Sequence, residues 1–338
     1  MKVLVTGANG HLGYSIAAAL LAAGHTVRGS IRSLQERHKA ARVAALGPVE
    51  LVAAELDDEG SLRAAMAGVD AVIHTAAVYR IYAPEGDAAI LRAGIDGVAA
   101  AMRAAKDAAV SRVVLTSSVV ALPPTVPGAP PVTEADWAED LRVPYVCAKT
   151  LGERRAWELA AELGVDLVTV LPGACGGPGF QRPTPTIDAI ASVMDGAFVI
   201  AAPPLNYPYV DVRDVARAHV LALGPNARGR YIAAMDCQPM VADIARIMHE
   251  IDRRVPAPKF VLPVWMTPAL PAIDAFNARV FGLPRTVTPE VAGSMHGRVW
   301  NISSEKIRSE LGWRPEISLR DSLADTMTVL RKLQADAA

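Results

Sequence analysis

Three cysteines, Cys147, Cys175 and Cys237, are all that the 338 residues contain. They are too few and too scattered for a disulfide framework and lack the paired spacing of a zinc site, so no metal is expected and reduced thiols in a cytoplasmic protein are the natural reading. Long apolar runs are missing as well. The nearest approach to a membrane span of about 18 residues is Phe260 to Ala272 (FVLPVWMTPALPA), and Pro263, Pro268 and Pro271, with Pro258 just before, argue against a spanning helix. Excess charge of either sign is absent: a net charge of -1 and a pI near 6.7 give no electrostatic case for nucleic acid or an anionic membrane as partner. Met1 leads directly into a strand pattern, which leaves no room for a signal or transit peptide.

What is present describes a soluble globular chain, 51% hydrophobic and 20% charged, long enough for two domains or for one with a sizeable lobe. Lys2 to Thr6 (KVLVT) has the length of a buried parallel strand. Gly7-Ala8-Asn9-Gly10-His11-Leu12-Gly13 follows, then a helical pattern with Leu12, Ile16, Ala19 and Leu20 on one face, stopped at Gly24, and a second strand over His25 to Ile31. Strand, glycine turn, helix and strand make the first βαβ unit of a dinucleotide-binding sheet, with TGxxGxxG spacing. The glycines let backbone approach a pyrophosphate, which free amides and the positive end of the helix receive.

The alternation continues with a helix over Ser33 to Leu46, strands over Val49 to Leu56, Asp70 to Ala77, Val110 to Ser118 and Val165 to Leu171, and helices over Asp57 to Ala67, Gly86 to Ala109 and Tyr145 to Leu163. This predicts an α/β fold, a doubly wound parallel sheet of the Rossmann kind with a smaller C-terminal substrate lobe. The expected division is a dinucleotide-binding domain over 1–172, with 209–225 returning to it, and a lobe from 173–208 and 226–338. The Gly- and Pro-rich stretch Gly173 to Pro208 is expected to be loop, including Phe180 to Thr186. Val210 to Leu223 reads as an amphipathic helix capped by Asp211, and Ser303 to Leu311 and Ser318 to Leu333 read as closing helices.

Ligands of open α/β sheets bind outside the carboxyl ends of the strands. Those ends hold Gly7 to Gly13, Arg32, Glu55, Leu56, Thr75, Ala76, Ala77, Thr116, Ser117, Ser118, Pro172 and Gly173. Tyr145 and Lys149 stand at i and i+4 on the helix after the fifth strand, so an ammonium can sit beside the phenol and favour its ionised form, while the Ser118 hydroxyl holds a carbonyl oxygen. No carboxylate occurs between the second strand and Glu36. Arg32 at that strand's end can instead grip a 2'-phosphate, with Lys39 as a second cation; NADPH is expected over NAD.

TGANGHLG, HTVRGSIR, AELDDEGSL, VIHTAA, RVVLTSS, YVCAKTLGERRAW and YVDVRDVARAH, with WNISSEKIRSELGWRP in the tail, resemble the extended short-chain dehydrogenase/reductase family. Within it the chain is most similar to the dihydroflavonol reductase and cinnamoyl-CoA reductase branch. The resemblance implies that Ser118 binds the substrate oxygen, that Tyr145 is the acid/base, and that Lys149 lowers the Tyr145 pKa and holds the nicotinamide ribose. It implies cofactor contacts from Gly7, Asn9, Gly10, His11, Leu12, Gly13, Arg32, Lys39, Glu55, Leu56, Thr75, Ala76, Ala77, Thr116, Pro172 and Gly173. Val143-Pro144-Tyr145-Val146-Cys147-Ala148-Lys149 replaces the longer string around the tyrosine of cinnamoyl-CoA reductases, and Pro123 stands where dihydroflavonol reductases carry a substrate-selecting Asn, so neither plant substrate is supported.

The expected activity is NADPH-dependent reduction of a fairly apolar ketone or aldehyde, by a monomer or homodimer. Tyr79, Ser118, Cys175, Phe180 and Tyr207 are the candidate substrate residues. Trp265, Met266 and Phe276 are expected to pack in the lobe or join an apolar substrate wall, His74 to be a core histidine, and Ser117 to be an alternative to Ser118. A nucleotide-sugar epimerase and a non-catalytic NADP-sensing regulator are the competing readings. The Val119-Val120-Ala121 string after Ser118 disfavours a dehydratase, and retention of Ser118, Tyr145 and Lys149 together disfavours the regulator.

Overall fold

The computed structural model describes residues 1–75, 87–182, 184–281 and 287–337. Strands β1 (Lys2–Thr6), β2 (Thr26–Ile31), β3 (Val49–Ala53), β4 (Ala71–His74), β5 (Arg112–Thr116) and β6 (Leu167–Pro172) alternate with helices α1 (His11–Ala22), α2 (Arg37–Ala44), α3 (Glu59–Met66), α4 (Ala88–Asp107) and α5 (Pro144–Leu163). Then come β7 (Ala174–Gly176), α6 (Pro185–Met194), β8 (Ala201–Ala202), β9 (Tyr209–Asp211), α7 (Val212–Ala222), β10 (Gly229–Ala233), α8 (Val241–Ile251), β11 (Phe260–Val261), α9 (Leu270–Phe281), α10 (Pro289–Met295), α11 (Glu305–Leu311) and α12 (Leu319–Ala337).

Seven strands form one parallel sheet in the order β10-β6-β5-β4-β1-β2-β3. Both faces are covered, so its central strands are apolar throughout rather than alternating. Val3 and Val5 of β1 pack with Ile16 and Leu20 of α1 and Val215 and Ala218 of α7. Leu4, pointing the other way, joins Met102 of α4 and Leu159 of α5. A third cluster unites α6, α8 and α12 through Ile187, Ile190, Ile244, Met248, Leu323 and Met327.

Helices α4 and α5 meet through glycines. A Cβ on Gly152 would stand 2.0 Å from the Gly94 carbonyl oxygen, and one on Gly94 would stand 2.7 Å from the Ala148 Cβ. Only hydrogen at those positions lets α5, which carries Tyr145 and Lys149, lie this close to the sheet's covering layer.

The expected elements change in several places. The helix expected from Ser33 begins at Arg37, and the strand expected to reach Leu56 ends at Ala53. Val210 lies in β9, paired with β7, so Asp211 caps a helix that starts one residue later, accepting from the Arg213 amide. The Gly- and Pro-rich stretch is not all loop. Thr184 caps α6, whose Pro185 and Thr186 occupy its first turn, because proline is tolerated where the amide needs no acceptor. Residues 229–233, assigned to the lobe, are an edge strand of the main sheet, its amide at Ile232 covered by the Glu134 carboxylate. Trp265 and Phe276 are not packed in a core but stand 74% and 60% exposed. Among the described residues no helix is long and apolar enough to cross a membrane.

Candidate active site

The glycine turn lies between β1 and α1. Gly7 takes a positive φ of 68°, its carbonyl accepts from the Gly10 amide at 2.9 Å, and a Cβ on Gly13 would stand 2.3 Å from that carbonyl oxygen. The helix therefore begins directly on the turn. Gly10 gives it no side-chain cap and its first turn holds no acid, so the amides of His11, Leu12 and Gly13 present an unneutralised positive end. This suits a pyrophosphate.

The His11 ring is engaged elsewhere: Nε2 donates to the Pro178 carbonyl at 3.0 Å, and Phe180 meets it edge-on at 5.4 Å. Burial lowers the His11 pKa to about 4, leaving it neutral, so its contribution at the turn is its backbone amide. Phe180 is buried in this contact and in the third cluster.

At the end of β2, Arg32 is exposed and enters no ion pair among the described residues. Lys39 is held by Glu36 on its own helix. Arg28 donates to the Ala65 and Ala67 carbonyls at 2.8 and 2.7 Å and pairs with Glu50, so its place is structural. Arg42, one turn beyond Lys39, was not among the expected residues. It donates to the carbonyls of Asn9 and Gly179 and lies 3.7 Å over the Tyr14 ring, tying the glycine turn to the segment after β7. Its i, i+3 relation to Lys39 was the one signal in the sequence. Glu55 and Leu56 follow β3, with Glu55 backbone bound to Ser61. Thr75 fastens β4 to β1, its hydroxyl donating to the Thr6 carbonyl at 2.6 Å. Ala76, Ala77 and Tyr79 lie outside the described residues.

The end of β5 separates its hydroxyls by partner. Thr116 donates to Nε2 of His219, whose Nδ1 donates to the Val215 carbonyl, and the Thr116 carbonyl accepts from Lys149 Nζ at 3.1 Å. Ser117 donates to Glu153 at 2.6 Å. Glu153 is buried and also receives Thr169 at 2.7 Å and Arg230 at 2.9 Å, and the Arg230 guanidinium stacks 3.6 Å over Trp137. Ser117 is thus spent in a buried network. Ser118 caps the turn at Val119–Ala121 and hydrogen-bonds the Tyr145 hydroxyl.

Pro144 at the start of α5 fixes where Tyr145 emerges, and one turn later comes Lys149. The lowered phenol pKa expected from the sequence is opposed by burial. Burial raises the Tyr145 pKa well above its ordinary value, opposed by the Ser118 hydrogen bond, while burial lowers Lys149 to about 8, opposed by Glu153. His74, buried at the end of β4, touches Thr6 at 3.1 Å and is held neutral, its pKa lowered to about 4 by burial and by Lys149.

Beyond β6, a Cβ on Gly173 would stand 2.0 Å from the Pro208 carbonyl oxygen, so Pro172 and Gly173 run tight against the segment carrying Tyr207. Cys175 donates to the Gly173 carbonyl at 3.4 Å and is pushed up to about 12 by burial, next by Asp211. Its sulfur lies near enough to Tyr145 to affect the phenol, and burial also raises Tyr207. Cys147, between Tyr145 and Lys149, is partly buried.

A parallel sheet of this order, with a glycine turn at its first strand and Ser, Tyr and Lys at its fifth, defines a nicotinamide-dependent oxidoreductase. The model of the NAD dependent epimerase/dehydratase family matches residues 3–232. The chain is 33% identical over 271 residues to cinnamoyl-CoA reductase 1 of Arabidopsis thaliana, covering 76% of each chain. It is also 33% identical to tetraketide alpha-pyrone reductase 2 of Arabidopsis thaliana, covering 75% of this chain and 83% of that one. The crystal structure of gox2253 superposes with a TM-score of 0.83 at 29% identity over 98% of both chains. The chain belongs to the NAD dependent epimerase/dehydratase family, the extended short-chain dehydrogenases/reductases, on its dihydroflavonol reductase-like branch.

Proposed function

We propose that this enzyme reduces a fairly apolar ketone or aldehyde with NADPH, reversibly. The observation that carries the reading is the hydrogen bond between Ser118 and Tyr145 at the end of β5, with Lys149 one turn along the same helix. The relatives named as reductases support the direction of the chemistry.

The residues present fit a dinucleotide. The uncapped start of α1 would take the pyrophosphate, Glu55 and Leu56 the adenine side, Lys149 the nicotinamide ribose, and Pro172 with Gly173 the carboxamide. Bound there, NADPH supplies a hydride to the carbonyl carbon. Ser118 donates a hydrogen bond to the carbonyl oxygen and orients it, and Tyr145 gives that oxygen its proton. A phenol whose proton is held tightly in the resting site stays protonated until an alkoxide, a far stronger base, develops beside it. Lys149 then stabilises the tyrosinate left behind and keeps its place by donating to the Thr116 carbonyl. Cys175 supplies part of a wall beside the phenol, while Tyr207 packs against the third cluster.

The preference for NADPH rests on Arg32, a guanidinium at the end of β2 that enters no ion pair among the described residues, while the nearby Glu36 is taken by Lys39. NADPH oxidation measured against aromatic and aliphatic ketones, aldehydes and UDP-sugars tests the reading. Saturable turnover of a carbonyl compound is expected. Turnover or tight binding confined to the UDP-sugars would replace the reductase with an epimerase.

A further inference from the structure

Most of the large apolar side chains exposed among the described residues lie within 199–200 and 260–280, the others being Met1, Leu34, Val126 and Leu221. Ile200 (66% exposed), Phe260 (52%), Trp265 (74%), Ile273 (41%), Phe276 (60%) and Val280 (53%) gather in two short segments. These segments adjoin: β11 pairs with β8, and the Lys259 amide donates to the Ile200 carbonyl. Ile273, Phe276 and Val280 stand at i, i+3 and i+7, one stripe of α9. The approach to α9 is anchored, since Thr267 before it and Leu270 at its start are buried. Exposed apolar side chains gathered in neighbouring segments mark an interaction site.

Charge selects the partner. Residues 252–285 carry Arg253, Arg254, Lys259, Arg279 and Arg285 against Asp252, which pairs with Arg254, and Asp274, in a chain whose net charge is -1. Arg253, Lys259 and Arg279 are exposed and, among the described residues, enter no ion pair. In a two-fold dimer through this face a patch carrying Lys259 and Arg279 would meet a second patch of the same sign, because an isologous interface uses the same surface on both copies. A bilayer with anionic headgroups does the reverse: it receives Trp265 and Phe276 at its boundary and neutralises the cations beside them. Helix α9, with 12 residues, is about 18 Å long, too short to span a hydrocarbon core of about 30 Å but suited to lie along it.

We propose that the surface formed by residues 199–202 and 260–280 docks this enzyme peripherally on anionic lipid bilayers. The full chain is mixed with vesicles of pure phosphatidylcholine, or of phosphatidylcholine with about one-third phosphatidylglycerol, and the vesicles are pelleted. Binding is expected to the anionic vesicles, weak binding to the neutral ones, and release as salt rises. The double variants Trp265→Ser/Phe276→Ser and Lys259→Glu/Arg279→Glu should each lower the partition coefficient at least about tenfold while melting as the wild type does. A chain that stays in the supernatant with anionic vesicles, or double variants that bind as well as wild type, would overturn the proposal. So would a dimer in sedimentation that Trp265→Ser/Phe276→Ser dissolves, which would give the surface to a second copy.

Discussion

Helices α5 and α9 are both amphipathic, yet they spend their faces in opposite ways. Helix α5 turns Ala148, Gly152, Ala156 and Leu159 inward, meets α4 at glycine-to-glycine distance, and buries Glu153 among Ser117, Thr169 and Arg230. Helix α9 presents Ile273, Phe276 and Val280 to the outside. The first arrangement holds two side chains, Tyr145 and Lys149, in one geometry, as proton transfer requires. The second holds no single geometry and is built for area.

The contrast should appear first as stability. Glu153→Ala leaves Arg230 buried without its carboxylate, and a loss of about 3–5 kcal/mol is expected, read from denaturant unfolding. Survival of wild-type stability would mean that the buried network does not hold α5 in place.

Much of α5 was legible from sequence, and almost none of α9 was. TyrxxxLys after a strand ending in Ser-Ser is local information, as is TGxxGxxG, and both depend on a sheet whose strands read as apolar runs. The burial of Glu153 was hidden because its partners lie 16, 36 and 77 residues away. So was β10, which joins the sheet only through β6. Arg42 was missed because its acceptors are backbone carbonyls, which carry no sequence mark. Of α9 only Phe276 stands out in the sequence, as lobe packing or part of a substrate wall, since an apolar residue type does not tell what covers it.

Acidification should be the next largest effect. His11, His74 and His219 are each lowered to about 4 by burial, so the unfolded chain binds more protons than the folded one between the ordinary histidine pKa and that value. Their stabilisation is complete above about pH 6.5 and lost as pH falls toward 4, by about 2 kcal/mol or more in sum. Thermal unfolding across that window measures it, and a flat stability from pH 7 to 4.5 would contradict the assigned burial. Arg32→Ala should then raise the KM for NADPH about tenfold and leave that for NADH nearly unchanged, the loss of one charge-assisted contact. Equal effects on both cofactors would remove Arg32 from the 2'-phosphate. The smallest effect belongs to α9 and its approach: Trp265→Ser should change stability by no more than about 0.5 kcal/mol, because a side chain already in water loses little on becoming polar. A larger loss would mean that the surface is covered in solution.

The most direct measurement is the turnover of Tyr145→Phe with NADPH and the best carbonyl substrate, alongside its cofactor affinity. The substitution keeps the ring and removes only the hydroxyl bonded to Ser118. If Tyr145 donates the proton, kcat falls by about 10² or more while NADPH binds as before. Turnover near that of the wild type, with the fold intact, would contradict the assignment of Ser118, Tyr145 and Lys149 as the reducing site.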